Sequence, residues 1–260
     1  MPRSIWNGTV AVGLMSVPVK LYTAVQSNTV RFREVHLQDG GRIQHRRFCS
    51  EEEREVPYEE VVKGFQVAPD EYVVLSDEER KAAAGDGAHR IDVEHFVPAG
   101  EIDPVFYERT YHVGAGKDGE DAYQVLHDAL QRTGRAAIGR FTFHDREYLT
   151  VLRARDGALA LHTLRFADEL VGGHDIDAPE PQRAPGKREI EMARRLVDTL
   201  YEEFDPSRYE DEYRKAVLEV IRRKADGEDV RPDEEAPEPT GDDLMAALRA
   251  SLEGAKAGRR

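Results

Sequence analysis

Short runs of alternating apolar and polar residues recur through the first 166 residues of this 260-residue chain. Alternation with a period of two places successive side chains on opposite faces of a β-strand. The first run changes parity around Pro18, which predicts a strand, a bend near that proline and a second strand. The apolar members of the two runs are Trp6, Val10, Val12 and Leu14, then Val17, Val19 and Leu21.

Further strands are predicted along the same part of the chain. Val30 and Phe32 alternate with Arg31 and Arg33, which indicates a half-buried strand with a basic outer face. Asp156-Gly157 is a typical hairpin turn. So many short strands favour a barrel or sandwich over alternating βαβ units. The remaining predicted strands cover residues 70–75, 91–96, 105–113, 137–143, 148–154 and 158–166.

Helical periodicity appears later in the chain. Residues 120–133 carry one apolar stripe and end at Gly134, a residue suited to a C-terminal cap. Two more helices are predicted at 187–204 and 209–224, after a linker at 177–186 that holds three prolines. The fold class is therefore mainly β with α, divided into a β core (1–180), a helical arm (181–226) and a tail (227–260).

The tail combines an acidic stretch with a leucine stripe. Residues 226–243 hold nine acidic side chains and three prolines, and we predict that they are disordered. Leu244, Leu248 and Leu252 follow at four-residue spacing and predict a short helix. Such a stripe either docks on its own domain or binds a partner, and we favour a partner.

The net charge of −14 is unevenly distributed. Residues 1–50 and 131–166 are basic, at +5 and +4, whereas residues 51–130 and 167–260 carry −14 and −9. This pattern is either scatter or a positive face on an acidic body. The 40% hydrophobic content and the mean hydropathy of −0.64 argue against a membrane protein, and one cysteine excludes an internal disulfide. We expect a cytoplasmic protein.

No catalytic motif is apparent. The glycines at 114–119 lack the spacing of a phosphate-binding loop, and no nucleophile elbow is present. His36, His45 and Cys49 do not match a usual zinc site. We therefore expect no enzyme activity, no cofactor and no metal.

The predicted strand at 137–146 separates aromatic from basic residues. Phe141 and Phe143 share one parity, and Arg140 and Arg146 share the other. Arginines on an outer face suit contacts with backbone phosphates. A solvated strand paired with the abundant carboxylates would show the same pattern.

Several longer motifs closely resemble those of bacterial Ku proteins. They occur in order over about residues 1 to 227. Unlike some relatives, the chain has no second cysteine soon after Cys49, and it lacks a long lysine-rich extension. The matching segments are 3–22, 41–49, 55–65, 73–78, 133–141, 146–149 and 204–209, and the terminal leucine-rich segment is similar as well.

The resemblance implies a Ku-like β-barrel with a C-terminal helical arm and a disordered tail. Two copies would form a ring homodimer on double-stranded DNA ends without sequence preference. The dimer would recruit the ATP-dependent DNA ligase D of non-homologous end joining. The protein would be cytoplasmic and associated with the nucleoid. The alternatives are an acidic all-β interaction scaffold without DNA binding and a hydrolase with an unrecognised site.

The resemblance and the charge pattern together give three sets of candidate residues. Leu244, Leu248 and Leu252 are the candidates for ligase binding. The candidates for the dimer interface are Leu196, Leu200, Tyr201 and Phe204, and packing of these side chains onto their own barrel is the alternative. A surface salt bridge is the alternative for each DNA candidate. The DNA candidates are Arg3, Lys20, Arg31, Arg33, Arg46, Arg47, Lys63, Arg135, Arg140 and Arg146.

Overall fold

Seven strands close into a barrel in the N-terminal part of the computed structural model. The structure describes residues 3–84, 89–143, 146–173, 184, 186–228, 248–249 and 251–254. The chain divides into two units, one of residues 1–28 and 33–173, the other of residues 29–32 and 174–260. The predicted boundary at residue 180 and the tail positions 229–247 lie outside the described residues.

All of the described strands lie in the first unit. In chain order they are β1 (Trp6–Val12), β2 (Met15–Thr23), β3 (Phe48–Cys49), β4 (Arg54–Glu55), β5 (Gly64–Ala68), β6 (Glu71–Val74), β7 (Arg90–Pro98), β8 (Tyr107–Ala115), β9 (Arg135–Phe143), β10 (Arg146–Arg155) and β11 (Ala158–Leu164). The same unit holds α1 (Asp77–Ala84) and α2 (Glu120–Thr133). The second unit holds α3 (Lys187–Leu200) and α4 (Glu212–Ala225).

The barrel follows the order β1-β2-β8-β11-β10-β9-β7 and closes where β7 meets β1. That closing pair is parallel, with Val10 beside Ile91, and the other neighbouring strands are antiparallel. Closure leaves no free sheet edge in the barrel. The prediction of a barrel is thus confirmed.

Alternate residues of the strands point inward and form the core. Val17, Val19 and Leu21 on β2 are almost fully buried, and Phe141 fills the interior from β9. Helix α2 adds Leu126 and Leu130 to the same cluster. Each such side chain contributes about 1.5–3 kcal/mol through burial. The predicted bounds of α2 are confirmed, and Gly134 ends it in the left-handed conformation.

The first hairpin corrects the predicted bend at Pro18. The strands turn at Gly13-Leu14, where Gly13 has φ of +59°, and Val12 pairs with Met15. Pro18 lies inside β2 opposite Thr9, and its carbonyl accepts from the Gly116 amide. A glycine that adopts positive φ makes a tight hairpin turn without strain. The parity of the inward-facing residues therefore switches at Gly13-Leu14, ahead of Pro18.

One predicted strand is absent, and two predicted helix ends are wrong by three residues or more. Residues 29–33 form no strand, and Phe32 is 74% exposed, because alternation makes a strand only where a neighbour supplies hydrogen bonds. Helix α3 ends at Leu200 instead of 204, since Tyr201 is extended. Helix α4 begins at Glu212 instead of 209 because the Asp211 carboxylate accepts from the Arg214 amide and caps it.

Small hairpins occupy the long segment between β2 and β7. Strand β3 pairs with β4, and β5 pairs with β6, each as a separate two-stranded sheet. Most side chains in these hairpins are exposed, including Phe65 and Tyr72. Isolated two-stranded sheets are marginally stable in water, so this segment gains little from its own packing.

Any side chain at Gly139 is expected to destabilise the fold. A Cβ placed there would lie 2.3 Å from the carbonyl oxygen of Asp92 on β7. We expect Gly139→Ala to lower the free energy of unfolding by at least about 1–3 kcal/mol, measured by urea denaturation. Gly100→Ala is the control, because nothing lies within 4 Å of its added Cβ. Equal effects of the two substitutions would contradict the close approach of β7 and β9.

Candidate nucleic-acid interface

Carboxylates pair with several of the arginines that the sequence predicts as DNA contacts. Arg140 lies on the outer face of β9, where its Nε donates to Glu94 at 2.8 Å and its Nη1 to Glu147 at 2.7 Å. These hydrogen bonds, the one with Glu147 first, raise the pKa of Arg140. Arg146 donates to Glu169 at 2.7 Å and lies over the Tyr148 ring at 5.1 Å.

Two of the arginine candidates in the segment between β2 and β7, Arg46 and Arg47, differ in what they contact. Arg46 donates to Glu55 at 2.8 Å, whereas the Arg47 guanidinium lies 4.7 Å from the centre of the Tyr58 ring. The other candidates form no ion pair with any residue in the described part of the chain. They are Arg3, Lys20, Arg31, Arg33, Lys63 and Arg135, of which Arg31 belongs to the second unit. All ten assignments stay predictions.

A second group of cations, of which only Lys20 is among the sequence-predicted DNA contacts, lies on the outer face of four adjacent strands. Strand register places Arg153 opposite Ala160, Ala160 opposite His112 and His112 opposite Tyr22. Next to this row, Arg155 faces Ala158 and Lys20 faces Gly114. We call this surface the cationic wall; its polar members are Lys20, Tyr22, His112, Arg153, Arg155 and His162.

His162 holds Arg153 in a defined position on the cationic wall. The Nε of Arg153 donates to His162 Nε2 at 3.1 Å. His162 Nδ1 therefore carries the ring proton and donates to Thr110 Oγ1 at 2.9 Å. Tyr107 lies edge-on to the imidazole at 5.1 Å and beneath the guanidinium at 5.9 Å. Arg153 makes no ion pair with a carboxylate among the described residues.

The hairpin turn supplies the signal that could have revealed this pair. A two-residue turn at Asp156-Gly157 sets the register, so Arg153 and His162 become diagonal neighbours on one face. Both turn residues have positive φ, as this turn type requires. Reading the register across the turn, instead of each strand alone, would have found the contact.

His162 makes the stability of the fold depend on pH. Burial, followed by the charges of Arg153 and Arg155, lowers its pKa from 6.5 to about 4. Between these pH values the unfolded chain binds a proton that the folded chain does not.

The free energy of unfolding should fall by about 3 kcal/mol as the pH drops from 6.5 to 4. His162→Gln removes this contribution, and urea unfolding across that range should then show a weaker pH dependence. Parallel curves would contradict the assignment.

Helices α3 and α4 expose many apolar side chains. None of the described residues of either helix is buried. Leu200 is 58% exposed and Phe204 is 80% exposed, with its ring stacked on Tyr209. Leu196 is half-buried, and Tyr201 is exposed. An apolar surface of this extent is typical of a protein interface.

The predicted ligase-binding residues are only partly described. Leu248 and Leu252 lie in helical segments at 248–249 and 251–254, and both are half-buried. Leu244 lies outside the described residues. Among the described residues no cluster of three or more histidine, cysteine or acidic side chains could hold a metal ion. No described helix is long and apolar enough to cross a membrane.

Comparison with known proteins decides the family. The family model described as the Ku70/Ku80 beta-barrel domain matches residues 11–192. The chain is 43% identical over 262 aligned positions to the "Non-homologous end joining protein Ku" of Anaeromyxobacter sp. (strain K), covering 98% of this chain and 87% of that one. The chain belongs to the Ku family. The barrel is thus the Ku barrel that the sequence motifs indicate.

Other Ku proteins match over nearly the whole chain at lower identity. The Frankia casuarinae protein is 39% identical over 99% of this chain, which spans 65% of that relative's length. The Bacillus subtilis (strain 168) protein is 31% identical over 96% of this chain and 82% of its own length. Both carry the name "Non-homologous end joining protein Ku". The resemblance to bacterial Ku proteins is confirmed.

Proposed function

We propose that this Ku-family chain binds double-stranded DNA ends without sequence preference and acts in non-homologous end joining. The observation that carries the proposal is the 43% identity over 98% of the chain to a protein named for that process. In this proposal two copies form a ring, and the ring recruits the ATP-dependent DNA ligase D. The chain itself binds DNA, a second copy and the ligase, and the ligase joins the DNA ends.

Homodimerisation is supported by the apolar surface of the second unit. Leu200, Tyr201 and Phe204 are all exposed in the single chain. Covering such side chains with those of a second copy would remove apolar surface from water, at about 25 cal/mol per Å². A symmetric pair lets the same surface serve both copies.

Binding to the DNA backbone is supported by the distribution of charge. The cationic wall carries two arginines, a lysine and the Tyr22 hydroxyl, which suit phosphate oxygens. Many acidic residues outside the basic segments account for the net charge of −14. A localised basic face can hold phosphate on a protein that is acidic as a whole.

A gel-shift comparison of linear and covalently closed circular DNA tests this proposal. A ring that threads onto ends should bind the linear duplex and leave the closed circle free. A groove binder would bind both, and an interaction scaffold would bind neither. Either of these two results would overturn the proposal.

Binding should also weaken steeply with salt. If each dimer neutralises roughly six phosphates, the slope of log K against log salt should be about −5. Fluorescence anisotropy with duplexes of unrelated sequence should give the same slope and similar affinity. A slope near zero, or a strong dependence on sequence, would contradict backbone recognition.

A further inference from the structure

We propose that Arg153 is a phosphate-contacting residue on the cationic wall and that His162 is the positioning residue that aims it. This inference rests on the proposed function, because it names the surface that would contact the DNA backbone. Neither residue belongs to the motifs that carry the resemblance. Both residues are placed by the geometry of β8, β10 and β11.

The position of Arg153 is fixed by two neighbours. Its Nε is engaged by His162 Nε2 at 3.1 Å, and the Tyr107 ring lies under the guanidinium at 5.9 Å. Its terminal nitrogens make no hydrogen bond to any described residue, so they can form the two-pronged contact that a phosphate accepts. Because the side chain is already held, less rotamer entropy is lost when the phosphate binds.

The acceptor that holds Arg153 is neutral, and this preserves its positive charge. His162 is only 3% exposed and lies in a field set by Arg153 and Arg155, so its ring stays unprotonated at neutral pH. A glutamate in its place would cancel the charge, as Glu94 and Glu147 do for Arg140.

Charged side chains on β8 and β10 flank this contact. Arg155 lies on the same face of β10 and pairs with Asp156 at 3.0 Å. On β8, His112 shares the outer face with Thr110, and Glu108 accepts from Thr163 at 3.3 Å. Within the described residues no carboxylate forms an ion pair with Arg153, so an incoming phosphate meets little competition.

Small residues occupy the middle of the cationic wall. Ala158 and Ala160 on β11 and Gly114 on β8 lie between the arginines of β10 and Lys20 of β2. Tyr22 lies against Gly114, where an added Cβ would approach its ring to 3.1 Å. Three strand spacings separate β10 from β2, or about 14 Å. That span is comparable with the roughly 12 Å width of the major groove of B-DNA.

The first test removes the charge of Arg153. Arg153→Gln should lower the magnitude of the salt slope by about 0.9 for each chain, or about 1.8 for a dimer. Arg195→Gln is the matched control, since it removes one charge from an arginine paired with Glu191 on α3. The control should leave the slope unchanged. Equal slopes for Arg153→Gln and the unmodified protein would overturn the inference while leaving end binding intact.

The second test separates positioning from folding. His162→Phe keeps the charge of Arg153 but removes its acceptor, so DNA affinity should fall, and His162→Gln should restore part of it. In an Arg153→Gln background, His162→Phe should have no further effect on affinity.

Thr110→Val removes the acceptor of the imidazole N–H and should also lower DNA affinity, which guards against a fold defect in His162→Phe. If His162→Phe weakens binding equally in both backgrounds, its role is structural and the inference is wrong. If the unmodified protein binds no duplex, both the inference and the proposed function fail.

Discussion

Leu200→Asp combined with Phe204→Asp is expected to dissociate the dimer and abolish stable binding to DNA ends. Both side chains are exposed in the single chain, at 58% and 80%, so the change should cost the isolated chain little. Burying unpaired carboxylates in the interface costs about 3–5 kcal/mol or more. The dimer dissociation constant should therefore rise on the order of a thousandfold.

Sedimentation at micromolar concentration is the direct measurement. The unmodified protein should sediment at about twice the 29.4 kDa chain mass, and the double variant at the mass of one chain. Val171→Asp supplies the control, because Val171 is 80% exposed in the other unit and should leave the dimer intact. A clean monomer that still binds ends would contradict the ring.

Deleting residues 228–260 is expected to abolish stimulation of the ligase while leaving dimerisation and end binding nearly unchanged. The expectation rests on the leucine stripe, whose described members Leu248 and Leu252 are helical. A helix of about a dozen residues is marginal alone, so a partner groove would stabilise it. Each leucine would contribute about 1.5–3 kcal/mol if fully buried there.

Point substitutions refine the tail experiment. Leu244→Asp with Leu248→Asp should reproduce the effect of the deletion in a ligation assay with purified ligase D. Leu252→Asp and Ser251→Asp form a matched pair, since they add the same charge at adjacent positions, one half-buried and one exposed. Only Leu252→Asp should impair stimulation. Full stimulation by the truncated chain would exclude the tail as the ligase contact.

The β architecture could be predicted from the sequence because its determinants are local. Alternation marks most barrel strands, and Asp156-Gly157 marks the turn between two of them. The bounds of α2 follow from its apolar stripe and Gly134. Closure of the barrel by the parallel pair β1 and β7 depends on residues about 80 positions apart, which alternation does not reveal.

The candidate interface was harder to predict because charge depends on neighbours that are distant in sequence. Arg140 carries the expected outward orientation, yet Glu94, 46 residues earlier, offsets its charge. The strand predicted at Val30 and Phe32 is absent because no strand among the described residues pairs with this segment. Nothing in the residues next to Arg153 in sequence indicates its contact with His162, which follows from the register of the hairpin.

Topological trapping tests the central claim, a ring threaded on DNA, most directly. The dimer is loaded onto a linear duplex, the duplex is ligated into a covalently closed circle, and the salt is then raised. Electrostatic contacts weaken at high salt, so a protein held only by contacts is released. We expect the dimer to stay on the closed circle and to leave once the circle is cut. Release from the closed circle at the same salt as from linear DNA would contradict the ring.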